Sequence, residues 1–144
     1  MTTCDTPVLQ IRPWHDEVID ACGFEPASGY VELCWLPILG PSTIWLCRRL
    51  VAGLTAKPDG YAIGLTELAE SLGLGTGTGR NAPINRTIAR LVRFGMARHE
   101  APDILAVRRR LPPLVLPQVQ RLSPRLQQAH AHLLARHQRH PAAS

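Results

Sequence analysis

Asn81-Ala-Pro-Ile-Asn-Arg-Thr-Ile-Ala-Arg-Leu-Val-Arg-Phe-Gly95-Met-Ala-Arg98 is the stretch on which the reading of the fold turns. It carries a helix start, because Asn81 can cap and Pro83 suits a first turn in which a missing N–H costs nothing. It also carries a stop, since Gly95 can take the left-handed conformation that closes a helix. Between these signals Ile84, Ile88, Leu91 and Val92 recur at helical spacing and predict one buried stripe. At about 100° per residue, Arg86, Ala89, Arg90 and Arg93 fall on the opposite side. A row of arginines interrupted by a small residue suits close approach to a polyanion, where guanidinium groups pair two-pronged with phosphate or guanine. The plainer alternative is a solvated amphipathic helix.

Charge around this stretch is lopsided. Residues 1–70 hold four cationic side chains against nine carboxylates, whereas residues 71–144 hold twelve arginines against Glu100 and Asp103 alone. The whole chain of 144 residues is net +5, and a basic half of this kind suggests a polyanionic partner. With 45% hydrophobic residues it is long enough for one domain with a core. The cysteines at positions 4, 22, 34 and 47 form no Cys-x-x-Cys pair. Cys34 and Cys47 lie among apolar residues and read as core side chains in a reducing compartment. A polar N-terminus and the lack of an apolar run near the ~18 residues of a membrane span lead to the expectation of a cytoplasmic chain.

Taken in order, residues 1–28 are broken by Pro7, Pro13 and Pro26 and read as an N-terminal arm, weakly helical only over 16–21. Tyr30 to Leu36 can make two helical turns that Pro37 ends, and 41–54 reads as the first long core helix. Trp35 and Trp45 read as packing residues. Lys57–Gly60 is a turn, Tyr61–Ile63 a short strand, and 66–72 a short helix capped by Thr66 and stopped by Gly73. The run Gly73-x-Gly75-x-Gly77-x-Gly79 lacks the residues of a nucleotide-binding loop and reads as a linker, with Arg80 placed to meet one phosphate. Two strands, 96–98 and 104–108, then flank a turn at Glu100–Asp103.

The order helix, short strand, helix, basic helix, hairpin resembles a winged helix-turn-helix domain over about residues 38–110. Arg86 to Arg98 looks like the junction between recognition helix and wing in many bacterial winged-helix regulators. The resemblance implies an α+β fold with a three-helix core and a β-hairpin wing, and a helix that enters the major groove of double-stranded DNA. Domain boundaries follow as an arm over 1–28, a winged-helix domain over 29–110, a proline-rich connector over 111–122, and a C-terminal helix and tail over 123–144. The expected contacts are Arg86, Arg90 and Arg93 in the groove, with Asn85 and Thr87 at its edge. Arg80, Arg98, Arg108, Arg109 and Arg110 would neutralise the backbone. The reading depends on these arginines converging on one convex ridge of helix and hairpin; guanidinium groups scattered around the molecule, or tucked against carboxylates of the first half, would rule out nucleic acid as the partner.

The expected function is transcriptional regulation in the nucleoid, without catalysis, cofactor or metal. The alternatives are a winged-helix module that binds protein and a sequence-indifferent DNA binder of chromosome or plasmid maintenance. In the last helix, Leu126, Ala129, Leu133 and Leu134 form a stripe that fits packing in cis, across the first core helix, or pairing with a second copy. His130, His132, His137 and His140 lack the spacing and partners of a metal site and read as a solvated, weakly basic face. His15, Asp16 and Glu17 stand beside no nucleophile or cofactor fingerprint.

Overall fold

A computed structural model describes residues 7–139, so Cys4 and His140 lie outside the described residues. It is an α+β arrangement of seven helices and a four-stranded mixed sheet of order β2-β1-β4-β3. The strands are β1 (Val8–Pro13), β2 (Tyr61–Gly64), β3 (Ala97–Ala101) and β4 (Ile104–Val107). The helices are α1 (Glu17–Cys22), α2 (Leu36–Leu39), α3 (Pro41–Ala56), α4 (Leu65–Ser71), α5 (Pro83–Arg93), α6 (Leu116–Gln120) and α7 (Pro124–Arg139).

The segment read as an arm supplies an inner strand. β1 pairs antiparallel with β2 (Leu9 opposite Ile63) and parallel with β4 (Ile11 opposite Leu105). Its side chains alternate, with Leu9 and Ile11 buried and Gln10 and Arg12 exposed, the period of a half-buried strand. Because β1 has neighbours on both sides, its two backbone edges are satisfied by the sheet rather than by water. Pro7 and Pro13 flank it at positions where they remove no ladder hydrogen bond from its middle. β4 is shielded more fully, with Leu105, Ala106 and Val107 all buried. One core joins these strands to Ile44, Leu46, Leu50 and Leu54 of α3 and to Ile84, Ile88 and Leu91 of α5.

Local signals held at the ends of α5 in part. Gly95 has φ +79°, its N–H bonds the Val92 carbonyl, and Met96 N–H bonds that of Leu91. This paired closure is the one that glycine makes cheap. At the start, Ala82 rather than Asn81 occupies the cap position, with no side-chain cap bond. Pro83 donates nothing there anyway, which lowers the need for a capping oxygen. Likewise α4 starts at Leu65 behind Gly64, one residue before Thr66, and ends at Ser71, with Leu72 as its cap and Gly73 following at φ +73°.

Pro37 does not end the helix that leads into it. A widened, π-helical turn over Val31–Trp35 runs straight into α2, in which Pro37 sits in the first turn. The wider turn makes room for the ring, and the Leu36 N–H reaches back to Val31. Residues 111–114 are held to this region rather than spanning it freely. Leu111 exchanges backbone bonds with Phe24, Trp35 Nε1 donates to Pro112 O at 2.8 Å, and Leu114 N–H donates to the Tyr30 hydroxyl at 2.8 Å. α7 packs in cis against the widened turn, where the sequence had suggested the first long helix. Cys34 and Cys47 are buried free thiols, which burial pushes up to about 11 and about 12, while Cys22 is exposed.

Candidate nucleic-acid interface

The ten residues expected to meet DNA fall into three groups. In the first, the side chain is spent on the fold. Arg90 donates from Nε to Leu39 O and from Nη2 to Ile38 O, both at 2.7 Å, so it caps the end of α2 instead of projecting outward. The last carbonyls of a helix have no partner of their own, and a guanidinium answers two of them at once. Asn85 donates to the carbonyls of Thr78 and Gly79 at 2.9 and 2.8 Å, pinning the glycine run to the start of α5. Thr87 is buried, with its hydroxyl on Pro83 O at 2.8 Å.

The second group is neutralised or tied down on the other side of the chain. Arg108 donates to Gly95 O and to Asp16 Oδ2, each at 2.8 Å, and its guanidinium lies 3.8 Å from the Trp14 ring centre. That pair holds the Asp16 carboxyl below its ordinary value, helped by the N–H groups of Ile19 and Val18. Arg110 faces Glu25 at 3.7 Å and Gly23 O at 3.4 Å, and Arg109 donates to Pro58 O at 2.9 Å. Asp16 and Glu25 are carboxylates of the acidic half, so Arg108 and Arg110 are removed from the expected contact set. The acidic and basic halves fold onto each other at this edge, which sequence position alone does not reveal.

The third group is free. Arg80, Arg86 and Arg93 are exposed, and none has a carboxylate within 4.0 Å among the described residues. Arg98 is exposed too, over Trp14 at 4.5 Å and 3.7 Å from an equally exposed Glu100, a pairing that contributes little in water. Arg86, Ala89 and Arg93 line a groove of about 650 Å³ between α5 and the start of α3, with Gly40 and Ser42 opposite. Pro41 and Ser42 also border the adjoining groove of Trp45 and Arg49. Trp45 is 53% exposed rather than packed, with the Arg48 guanidinium 4.4 Å from its ring centre, and Arg49 is fixed on Ser71 Oγ at 2.6 Å. The N–H groups that open α3 therefore lie between Arg86 and Arg93 on one side and the Trp45 indole with Arg49 on the other.

Arginine 109 and Arg110 line a different groove, of about 680 Å³, with Asp20, Glu25 and Arg48. Arg90 binds just before the start of α3 and Arg109 just after its end, and sixteen helical residues span about 24 Å. The positive charge of the second half is thus divided between the two ends of α3, so the single ridge expected from the sequence does not form, and only Arg80, Arg86, Arg93 and Arg98 of the expected set remain available to a polyanion. Trp45, expected from the sequence to pack, is instead exposed beside Arg48 and Arg49 of the acidic half. Comparison of the chain with protein-family models, with curated proteins and with solved structures finds no match. No described helix is long and apolar enough to cross a membrane.

Proposed function

We propose that this chain binds double-stranded DNA through a winged-helix-like unit, α3 to β4, with the exposed face of α5 as the principal contact. The observation that carries this reading is the set Arg86, Ala89 and Arg93, exposed on one helical face and unpaired with any described carboxylate. Support comes from the adjacent start of α3, whose N–H groups suit a phosphate, and from Trp45 and Arg49 beyond it. The element order from α3 through the β3–β4 hairpin is compatible with a winged helix, from which the sheet departs by the β1 strand between β2 and β4. Arg80 and Arg98 extend the contact at the two ends of α5. Transcriptional regulation is the proposed role, and sequence-indifferent binding in chromosome or plasmid maintenance is the alternative that occupancy mapping separates.

The test is a gel shift of full-length protein on random duplex at about 50 and about 200 mM salt. Binding that weakens with salt, by a slope of about −0.9 for each arginine engaged, supports the proposal. Salt-insensitive or absent binding overturns it and favours the second reading, a module that binds protein through exposed Trp45, Val115 and Leu116. Sharp genomic occupancy marks a regulator, and broad occupancy an architectural protein.

A further inference from the structure

The last described helix, α7, has two buried residues, and both are histidines. Its leucines at 126, 133 and 134 are only partly covered. His130 and His137 meet a stacked aromatic pair, Phe24 and Tyr30, whose ring centres are 3.7 Å apart. The His137 ring centre lies 4.0 Å from that of Phe24, and the His130 ring centre 5.5 Å from that of Tyr30. His137 Nε2 is 2.8 Å from the Cys22 carbonyl, which can only accept, so the neutral ring carries its proton on Nε2. His137 Nδ1 and His130 Nε2 are buried with no hydrogen-bond partner.

The surroundings offer no compensation for a positive charge. No carboxylate lies within 4.0 Å of either imidazole among the described residues. The Tyr30 phenol accepts from Leu114 N–H, and burial keeps it un-ionised. Cys34 of the widened turn is a buried thiol held protonated by the same cause, and Glu32 of that turn is exposed. Arg110, on Gly23 O, is paired with Glu25, so that carboxylate is already matched by a guanidinium. On α1, which presents the Cys22 carbonyl, Glu17 is exposed and Asp20 half-buried; α6 brings no ionisable group, Arg121 after it is exposed, and α7 itself adds the exposed Arg125, His132, Arg136 and Arg139.

We propose that α7 is a pH-sensitive latch, docked on the Phe24–Tyr30 pair while the buried His130 is neutral and released when that ring takes up a proton. A second proton on either ring would place an N–H in the interface with no acceptor, and a charge with no counter-charge. Burial already holds His130 below the ordinary imidazole value of 6.5. The released helix therefore binds protons at a higher pH than the docked one. Docking is complete above about 6.5 and weakens as pH falls below that, by up to about tenfold per pH unit for this one ring.

The experiment is a pH titration of the isotope-labelled full chain by NMR, from about pH 7.5 to 5.0. The expected result is loss of dispersed α7 amide signals as pH falls, with β1, β4 and α3 unchanged. In the same titration the His130 ring should protonate below the ordinary imidazole value of 6.5. The variant His130→Leu should keep α7 docked throughout. If that variant fails to fold, the position of the His130 ring titration in the parent still decides. The proposal is overturned if α7 stays docked to pH 5.0 in the parent, if His130 titrates at or above 6.5, or if a folded His130→Leu variant undocks at the parent's pH.

Discussion

Arg90 reaches across 51 positions of sequence to place its Nε 2.7 Å from the carbonyl oxygen of Leu39. A side chain that sits on the arginine face of α5 by periodicity is thereby an anchor between α5 and the end of α2. Arg90→Ala leaves the carbonyls of Ile38 and Leu39 without their charged donor. The expected loss is about 2 kcal/mol of stability, read by chemical denaturation, with a drop of roughly 4–8 °C in Tm. A variant as stable as the parent would mean that water replaces the guanidinium at no cost.

Arg86→Ala and Arg93→Ala should behave in the opposite way. Both are exposed and make no ion pair with a described carboxylate, so stability should change by less than about 0.5 kcal/mol. Each should reduce the salt slope of DNA binding by about 1. Arg109→Ala, at the far end of α3, should leave that slope as it is. Equal effects of all three substitutions would mean that the arginines act only through net charge.

Gly53→Ala tests packing against propensity. Alanine is favoured over glycine in a helix by about 1 kcal/mol. Here a Cβ would intrude on the Tyr61 ring, which lies over Gly53 with its hydroxyl donating to Leu50 O at 2.8 Å. The tyrosine is held by this bond and by burial that pushes its phenol up to about 12. Destabilisation of about 1–3 kcal/mol is expected, against a near-neutral Gly29→Ala, where nothing lies within 4 Å. Thermal melts of the two variants check the contrast.

Asp16 has two roles that can be separated. It accepts from the N–H groups of Val18 and Ile19 at the start of α1, and it pairs with Arg108. Its carboxyl is held below the ordinary 3.8, so the unfolded chain takes up the proton first. The stabilisation is present above the ordinary value and is lost as pH falls through the folded one. Asp16→Asn keeps a capping oxygen but not the charge, so its Tm should lose part of the acid-dependent decline between about pH 5 and 2. Asp16→Ala removes both, and should melt lower than Asp16→Asn at neutral pH. Identical Tm profiles of the parent and Asp16→Asn would show that the pair is screened to nothing by solvent.

The sequence carried more of the fold than of the site. Helical stripes, the glycine stops at 73 and 95, and the hairpin around Pro102 and Asp103 are local signals, and the structure keeps them. β1 was missed although Val8-Leu-Gln-Ile-Arg12 alternates, because flanking prolines resemble those of an unstructured arm and the alternation covers few residues. His130 and His137 were read as solvated, since histidine on a polar helix usually is, yet both are covered by rings far away in sequence.

Periodicity and composition, by themselves, determined which segments are helical, where several of them stop, and that the second half is rich in arginine. These depend on neighbours within a turn or two, so they are written in adjacent letters. Tertiary structure decided what each guanidinium does. An arginine has a long side chain and several donors, and it goes to whichever carbonyl, carboxylate or ring the rest of the chain brings within reach. Leu39, Asp16, Glu25 and Pro58 took Arg90, Arg108, Arg110 and Arg109, leaving Arg86 and Arg93 open to solvent.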